Sequence, residues 1–369
     1  MKTIGMDVHA RQTFFHVVDE KGHRVERGST ETTAKNLSEV IGRHLEEGDE
    51  VRVALEASTT TWWVQEVLKK AGAHVEVTNP YKLKLIAESR AKTDKADAEI
   101  LAELLRCGGL PTPVYVPTPQ IRELRQRLSL RRQLVRIRTQ VICSAKAHLR
   151  GQGVKTTKRD FHTEASWKRL MAVHDSSRWH LNPLAGVYGE IVSSCRQAEA
   201  EVQELWDEDP SVRRLQTIPG IGPIVAYTVV AALGEVERFS SSKQVEAYAG
   251  IIPIERSSGE VTIRGGITHE GRAELRGALI QAAWAVLRTR KNEALFLKKF
   301  YYKLMHRRGS QVAIVALARK LLTIAYQVLK QEEDFDGDRT RERKTEKKSA
   351  PHQKQLLNLN QEARSEIQT

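Results

Sequence analysis

Four acidic residues stand at positions from which their carboxylates could meet and hold divalent metal ions. Asp7 ends a first strand-like run, Glu56 ends a later one, and Asp94 and Asp97 open a helical stretch one turn apart. Such acids can converge on one point, where their mutual repulsion is tolerable only if cations are bound. Two divalent ions about 4 Å apart activate an attacking oxygen and stabilise a leaving one, and carboxylates are the ligands that Mg²⁺ prefers. The four acids therefore predict magnesium-dependent chemistry on phosphodiesters.

The elements that must position these acids have the order of an RNase H-like mixed sheet. Three short runs separated by turn-forming or charged residues are typical of an antiparallel meander, and the apolar runs that follow alternate with amphipathic stretches. The predicted elements are, in order, strands at 3–7, 13–18 and 24–29, a helix at 34–45, a strand at 51–56, a helix at 61–71, a strand at 74–78 and a helix from 94. The fold class expected is α/β in the first part of the chain and α beyond it.

Clustered glycine and proline at 108–119 predict the exit from the first domain. Beyond it, a long helix over 120–149 and a second over 187–207 could pair as an antiparallel arm. The first of these helices is rich in arginine, so the arm is either a solvated helix pair or a surface that contacts RNA or a second copy. The predicted domains are 1–110 (catalytic), 111–210 (linker and helical arm), 211–332 (mainly helical) and 333–369 (a disordered polar tail).

Composition favours a polyanionic partner. The 369 residues contain 59 Lys and Arg against 46 Asp and Glu, a formal charge of +13, so nucleic acid is the leading candidate. Three scattered cysteines predict neither a disulfide framework nor a cysteine-based zinc site. No long apolar signal region and no stretch with the length of a membrane span are expected, which predicts a soluble, intracellular protein.

A glycine-rich turn at 219–223, with the sequence Pro-Gly-Ile-Gly-Pro, lies between two helical stretches of the C-terminal part. Gly220 and Gly222 permit a tight turn whose backbone N–H groups, with the positive end of the next helix, can hold a phosphate. This pattern is a helix-hairpin-helix signature, which binds the DNA backbone without reading sequence. The alternative is a plain interhelical turn.

A second polar segment, around Ser258-Gly259, places a hydroxyl among cations suited to a phosphate. The cations are Arg256, Arg264 and Arg272. By itself, the Ser-Gly pair indicates only a turn.

Taken in order, these motifs resemble the DEDD transposases of the IS110 insertion-sequence family. The resemblance runs from Met1 to about Lys330 and is much more specific than any one motif. The segments that carry it are Asp-Val-His at 7–9, Leu-Glu-Ala-Ser at 55–58, Asn79-Pro80, Lys-Thr-Asp-Lys-Ala-Asp at 92–97, the Pro-Gly-Ile-Gly-Pro turn and Ser258-Gly259.

The resemblance implies a RuvC-like N-terminal domain, a coiled-coil arm and a C-terminal transposase domain with a helix-hairpin-helix. It implies that Asp7, Glu56, Asp94 and Asp97 hold Mg²⁺ and that Ser258 is the nucleophile, with Ser257 beside it as the alternative. It further implies a cytoplasmic recombinase whose structured guide RNA pairs with donor and target DNA. Such enzymes act as homo-oligomers, from dimer to tetramer, in which the serine of one subunit completes the metal site of another.

Two other classes of function remain open at this level. A Holliday-junction-type nuclease would use the same metal site with water as nucleophile, and it would leave no protein–DNA covalent adduct. A non-enzymatic DNA- or RNA-binding protein would use only the glycine turn and the arginine-rich helix. Salt-sensitive binding is expected of all three classes, because phosphate contacts supply most of the affinity.

Overall fold

The computed structural model describes residues 1–45, 50–86, 94–258 and 261–337, and within these ranges it gives only the backbone for 84–86, 94–95, 255–258 and 261–264. The chain divides into two compact units, Met1–Val116 and Pro117–Thr369. The Glu-Gly-Asp sequence at 47–49, which predicts a turn, and the part of the polar tail beyond 337 lie outside the described residues. Residues 333–337, which the sequence assigns to the tail, are described: Phe335 stacks on Phe296 and its N–H donates to Thr217 Oγ1 at 2.9 Å.

The first unit is an α/β domain that has the element order expected from the sequence and one helix that was not predicted, Pro80–Ile86. Its elements are β1 (Lys2–Val8), β2 (Gln12–Val18), β3 (Arg24–Glu31), α1 (Ala34–Gly42), β4 (Val51–Glu56), α2 (Thr61–Lys70), β5 (His74–Thr78), α3 (Pro80–Ile86) and α4 (Asp94–Arg106). The strands form one sheet in the order β3-β2-β1-β4-β5. The first three strands are antiparallel, while β1, β4 and β5 are parallel, so the predicted mixed sheet is confirmed.

Both faces of this sheet are covered, and the alternation of side chains along the strands determines which helix each residue meets. Met6 and Leu55 are buried on the face covered by α1 and α2, together with Leu37 and Leu68. Ala54 lies on the opposite face and packs with Leu101 of α4. Burial on both faces explains why the central strands are almost continuously apolar.

The second unit is largely helical. Its elements are α5 (Pro119–Gly151), α6 (Glu164–Val173), α7 (Arg178–Trp206), α8 (Pro210–Gln216), α9 (Pro223–Leu233), α10 (Ser242–Ala249), β6 (Pro253–Ser258), β7 (Val261–Ile267), α11 (Ala273–Arg288), α12 (Leu295–Arg308) and α13 (Ser310–Gln331). The antiparallel hairpin of β6 and β7 differs from the expectation. The sequence predicts turns and helices throughout this region, with Ser258 in a loop.

Helices α5 and α7 form an antiparallel pair, called here the arm. Near the body of the unit, Arg127 pairs with Glu201 at 3.0 Å and Arg131 with Glu199 at 2.6 Å, so residue numbers rise along α5 as they fall along α7. Helix α7 begins nine residues earlier than the predicted position 187 and contains Pro183 in its second turn. Lying beyond the first turn, the proline removes one backbone bond of the helix, because it has no N–H to donate to the carbonyl oxygen of Trp179.

The far end of the arm carries a small structured segment, residues 144–182, called here the head. It contains α6 and its own aromatic core, in which Trp167 contacts Phe161 at 5.2 Å and Tyr188 of the arm at 5.4 Å between ring centroids. The side chains of Trp167 and Phe161 are each 1% exposed. The arm therefore ends in a packed module rather than in a bare helix–helix turn.

The remaining helices form the body of the second unit around α13. Among the described residues, α13 is the one helix whose length and composition would allow a membrane crossing, contrary to the expectation from the sequence. In the structure 61% of its apolar stretch is buried against other helices, including α11 and α12. This is the position of a core helix.

Candidate active site

Asp7 and Glu56 lie next to each other at the ends of two hydrogen-bonded parallel strands. Met6 of β1 is in register with Leu55 of β4, so the following residues, Asp7 and Glu56, lie side by side on adjacent strands about 4.8 Å apart. Met6 and Leu55 face α1 and α2; by alternation, Asp7 and Glu56 face the side covered by α4. Two of the four predicted acids are thus brought together by strand pairing alone.

Gly5 brings α4 against the same strand. A Cβ on Gly5 would lie 2.0 Å from the carbonyl oxygen of Ala98 and 2.4 Å from the backbone nitrogen of Ala102. Only a residue without a side chain allows this contact between the backbones of β1 and α4. Because Gly5 and Asp7 are two residues apart on a strand, they share the face that α4 covers.

The direction of α4 places its first turn at the Asp7 end of β1. At the opposite end of the helix, Arg106 donates to the carbonyl oxygen of Glu20, and Glu20 also pairs with the amino group of Met1 at 2.9 Å. The C-terminus of α4 is therefore beside the start of β1. Its N-terminal turn, which contains Asp94 and Asp97, lies toward the strand end that carries Asp7 and Glu56.

The carboxylate of Asp7 is largely enclosed, with 16% of the side chain exposed, and its Oδ2 lies 3.2 Å from Nε2 of His9. His9 belongs to the Asp-Val-His motif, for which the sequence alone indicated no role beyond the family resemblance. The signal was available, since His9 follows Asp7 by two residues, directly after the last residue of β1. His9 is positioned to orient the Asp7 carboxylate.

The four predicted acids differ in how far the structure describes them. Asp97 is partly buried in the first turn of α4, whereas Asp94 begins that helix with a side chain outside the described residues. Among the described side chains, no group of three or more His, Cys, Asp or Glu is arranged to hold a metal ion. The quartet therefore stays a prediction. Its donor atoms, carboxylate oxygens on a covered sheet face, are of the type that suits Mg²⁺.

Ser258 is the last residue of β6 and pairs with Val261 of β7 across residues 259–260. The side chains of Ser257, Ser258, Arg256 and Arg264 lie outside the described residues, so the structure places only their backbone. Arg256 is in register with Ile263, and Glu255 with Arg264. The predicted serine therefore stands at the tip of a hairpin.

The base of this hairpin is tightly held by two glycines. Gly250 has φ +64°, and a Cβ there would lie 2.4 Å from the carbonyl oxygen of Glu270. Gly271 has φ +136°, and its Cβ would lie 2.3 Å from the carbonyl oxygen of Tyr248. Arg276 adds a bond from Nη1 to the carbonyl oxygen of Ala249 at 2.9 Å. These contacts fix the ends of β6 and β7 against α10 and α11.

Arg272, predicted as a cation for phosphate, has partners within its own unit. Its Nε donates to the Tyr248 hydroxyl at 3.1 Å and its Nη1 to Glu274 at 3.3 Å. Burial alone would raise the pKa of Tyr248, but the charge and hydrogen bond of Arg272, together with the charges of Arg238 and Arg125, outweigh it and lower that pKa. In this structure Arg272 supports the hairpin base through Tyr248.

The two glycines of the Pro-Gly-Ile-Gly-Pro turn have different surroundings. Gly220 has φ +89°, and a Cβ would lie 2.5 Å from Val286 Cγ2 and 2.6 Å from the carbonyl oxygen of Ala282, so it packs the turn onto α11. Gly222 is the N-cap of α9 and has φ −94°, and a Cβ there would meet nothing within 4 Å. The open side of the turn is therefore at Gly222, where the first N–H groups of α9 begin.

The comparisons with known proteins agree with one another. A family model of DEDD transposases of the IS110 type, described as "Transposase", matches residues 4–153, and one described as "Transposase IS116/IS110/IS902 family" matches residues 212–298.

Relatives cover most of the chain. A probable family 20 transposase of Pseudomonas aeruginosa is 28% identical over 90% of this chain and 98% of its own length. The putative transposase y4rJ of Sinorhizobium fredii is 30% identical over 73% of this chain and 74% of its own. The pilin gene-inverting protein of Moraxella bovis is 28% identical over 78% and 82%, respectively. The chain belongs to the IS110 family of insertion-sequence transposases.

Proposed function

We propose that this transposase cuts and rejoins DNA strands at a carboxylate site formed by Asp7, Glu56, Asp94 and Asp97, with Ser258 as the nucleophile. The observation that carries the proposal is the convergence in the first unit. Asp7 and Glu56 end adjacent parallel strands on the face covered by α4, and Gly5 lets that helix bring its acidic first turn to the same end of the sheet.

The four acids would hold Mg²⁺, which supplies charge stabilisation at the phosphodiester and a lowered pKa for an attacking hydroxyl. The protein fixes the carboxylates before the substrate arrives. Strand pairing sets the separation of Asp7 and Glu56, the Gly5 contact sets the height of α4 above them, and His9 orients the Asp7 carboxylate. Such preorganisation lets the site stabilise charge without rearrangement during the reaction.

Ser258 would conserve the energy of the phosphodiester during recombination. Attack by its Oγ forms an Oγ–P bond as one P–O bond of the DNA breaks, and the departing DNA oxygen leaves as a hydroxyl after taking a proton. A hydroxyl of another DNA strand then attacks the same phosphorus, which breaks the Oγ–P bond and returns the hydroxyl to the serine. The strand is rejoined without ATP, whereas water in place of serine would leave a cut.

The glycine turn and the arm supply surfaces for nucleic acid in this proposal. The open side of the turn at Gly222 and the start of α9 form a helix-hairpin-helix contact with DNA phosphate. A structured guide RNA would pair with donor and target DNA, which leaves base choice to the RNA. The enzyme would act as a homo-oligomer in the cytoplasm, on DNA.

Strand exchange in vitro tests the metal site. Purified protein, Mg²⁺, the flanking RNA and donor and target DNA are mixed, and recombinant product is quantified. Asp7→Asn should lower the rate about 10³-fold, the equivalent of about 4 kcal/mol of lost charge stabilisation. Glu39→Gln, which changes an exposed acid on α1, is the matched control and should retain full rate. Full activity in Asp7→Asn would refute the site.

A separate measurement tests the serine. Denaturing gels of the wild type with labelled DNA should show a covalent protein–DNA adduct, which Ser258→Ala removes and Ser257→Ala leaves in place. The reverse pattern would move the nucleophile to Ser257. DNA cleavage without any adduct would favour the hydrolytic junction nuclease, and DNA binding without either would favour an architectural protein.

A further inference from the structure

The head of the arm carries a group of three aromatic rings, of which the two histidines are half-buried and the tryptophan is exposed. Trp179, at the start of α7, is 72% exposed, although most large apolar side chains of this segment are buried. The rings of His148 and His180 are stacked beside it, 4.2 Å apart and 21° from parallel. Trp179 meets them edge-on at 5.6 and 5.4 Å. We call Trp179, His148 and His180 the aromatic platform.

Hydrogen bonds and core packing inside the head hold the platform in place. Ser177, which is fully buried, donates from Oγ to Oε1 of Gln152 at 2.6 Å. The amide nitrogen of Gln152 lies 3.3 Å from Nε2 of His148. Leu181, next to His180, is fully buried in the same core as Trp167. The rings are thus fixed by a hydrogen-bonded chain and a packed core, while the indole stays in solvent.

The surroundings of the platform are cationic. Residues 144–182 contain eight Lys and Arg against three Asp and Glu. Seven of the eight basic residues are exposed: Arg150, Lys155, Lys158, Arg159, Lys168, Arg169 and Arg178. An exposed aromatic face among cations that can bind phosphate is the combination by which proteins hold single-stranded nucleic acid.

We propose that Trp179 stacks an unpaired base of RNA, with the basic residues of the head holding the neighbouring phosphates. This inference rests on the proposed guidance by RNA. The RNA is favoured over DNA because donor and target DNA arrive as duplexes with stacked bases, whereas structured RNA offers unpaired bases in its loops.

The site lies far from the body of the unit. From Arg125, which donates to the carbonyl oxygen of Ala231 in the body, α5 runs 23 residues to His148, or about 35 Å at 1.5 Å per residue. The arm would therefore hold one loop of the RNA about 35 Å from the point where Arg125 anchors α5 to the body.

The test measures the binding of labelled oligouridylate to the full-length chain by fluorescence anisotropy. Trp179→Ala should raise the Kd about tenfold, and Trp179→Phe, which keeps an aromatic face, should restore most of the affinity. Trp284→Ala, a 43% exposed tryptophan on α11, is the matched control and should leave the Kd unchanged. Because stacking releases no counterions, Trp179→Ala should also keep the slope of log K against log salt, whereas Arg178→Gln should make it shallower.

Each other outcome contradicts the proposal in a recognisable way. If Trp179→Ala binds oligouridylate with the wild-type Kd, the proposal that the platform stacks a base is refuted, and the proposal of RNA guidance is unaffected. If the wild type binds no RNA, both proposals are refuted: guidance by RNA and base stacking on the platform. A loss of affinity confined to oligothymidylate would assign the platform to DNA. A smaller mass in sedimentation with unchanged RNA binding would assign it to contact with a second copy.

Discussion

The two places that carry the candidate chemistry are built in opposite ways. Asp7 and Glu56 lie near the ends of strands that are covered on both faces, and the backbone of α4 touches β1 at Gly5. Ser258 ends β6, and β6 and β7 form a two-stranded sheet in the described part of the chain. The close backbone contacts of this hairpin are at its base, at Gly250 and Gly271. Carboxylates that share cations need fixed mutual distances, which a sheet core provides. A single nucleophile needs only a firm base from which to reach a phosphate.

We expect the acid site to tolerate an added side chain less well than the hairpin does. Gly5→Ala should destabilise the first unit by about 3 kcal/mol, because the new Cβ would overlap the carbonyl oxygen of Ala98 and push α4 away from β1. Urea unfolding monitored by circular dichroism measures the change. Gly42→Ala, at the end of α1 with nothing within 4 Å of the added Cβ, is the matched control and should unfold like the wild type. Equal midpoints for the two variants would show that the backbone contact is not important.

A second glycine tests the base of the hairpin. Gly271→Ala should cost about 2 kcal/mol, because φ +136° is strained for alanine and its Cβ would meet the carbonyl oxygen of Tyr248. Gly266→Ala, in β7 with open space around the added Cβ, should change stability by less than about 0.5 kcal/mol. Thermal unfolding of the full chain compares the two. A loss in Gly271→Ala as large as that in Gly5→Ala would erase the distinction between core and hairpin.

The fold of the first unit was predictable because its signals are local. The alternation in β1 and β4, the turn residues between β1, β2 and β3, and the acids at the start of α4 all lie within a few residues of the element that they define. The close contact of Gly5 with Ala98 was not predictable, since 93 residues separate them and a glycine in a strand has several explanations.

The second unit was harder to predict for physical reasons that its residues show. The hairpin strands carry polar side chains and a Gly-Gly pair, so the period of two was hidden. A proline interrupts a helical pattern, which hides the first turns of α7, whereas in the structure the helix begins at Arg178 and contains Pro183. Arg272 was assigned to phosphate because charge in a sequence does not reveal its partner; in the structure Tyr248 and Glu274 are in contact with it.

A pH titration would show how closely α4 covers the sheet. His16 on β2 pairs with Gly5, is 4% exposed and faces α4. Burial lowers the pKa of His16 below the usual 6.5. The charges of Arg27 and Arg24 lower this pKa further, whereas those of Glu99 and Glu103 raise it. The unfolded chain thus binds a proton at higher pH than the folded one. Stability from this residue is complete above pH 6.5 and is lost as pH falls through the lower, folded pKa.

The variant His16→Phe should flatten this loss of stability in urea unfolding at a series of pH values, because the buried ring no longer takes up a proton. His74→Gln, which removes an exposed histidine of β5, should keep the wild-type profile. If His16→Phe and the wild type lose stability in parallel on acidification, water reaches the β2–α4 interface and the covered face is more open than Gly5 suggests.

The smallest effect is expected in the arm, where the contacts between α5 and α7 include partly exposed ion pairs. Arg131 and Glu199 are 24% and 42% exposed, so water screens their attraction. A double-mutant cycle with Arg131→Gln and Glu199→Gln should give a coupling of about 0.2–1 kcal/mol that shrinks with added salt. The arm is then held by its apolar seam, including Leu124 and Val202, rather than by charge. A salt-resistant coupling above about 2 kcal/mol would instead show that the arginine-rich face is an internal ionic network, which would leave fewer of its charges for nucleic acid.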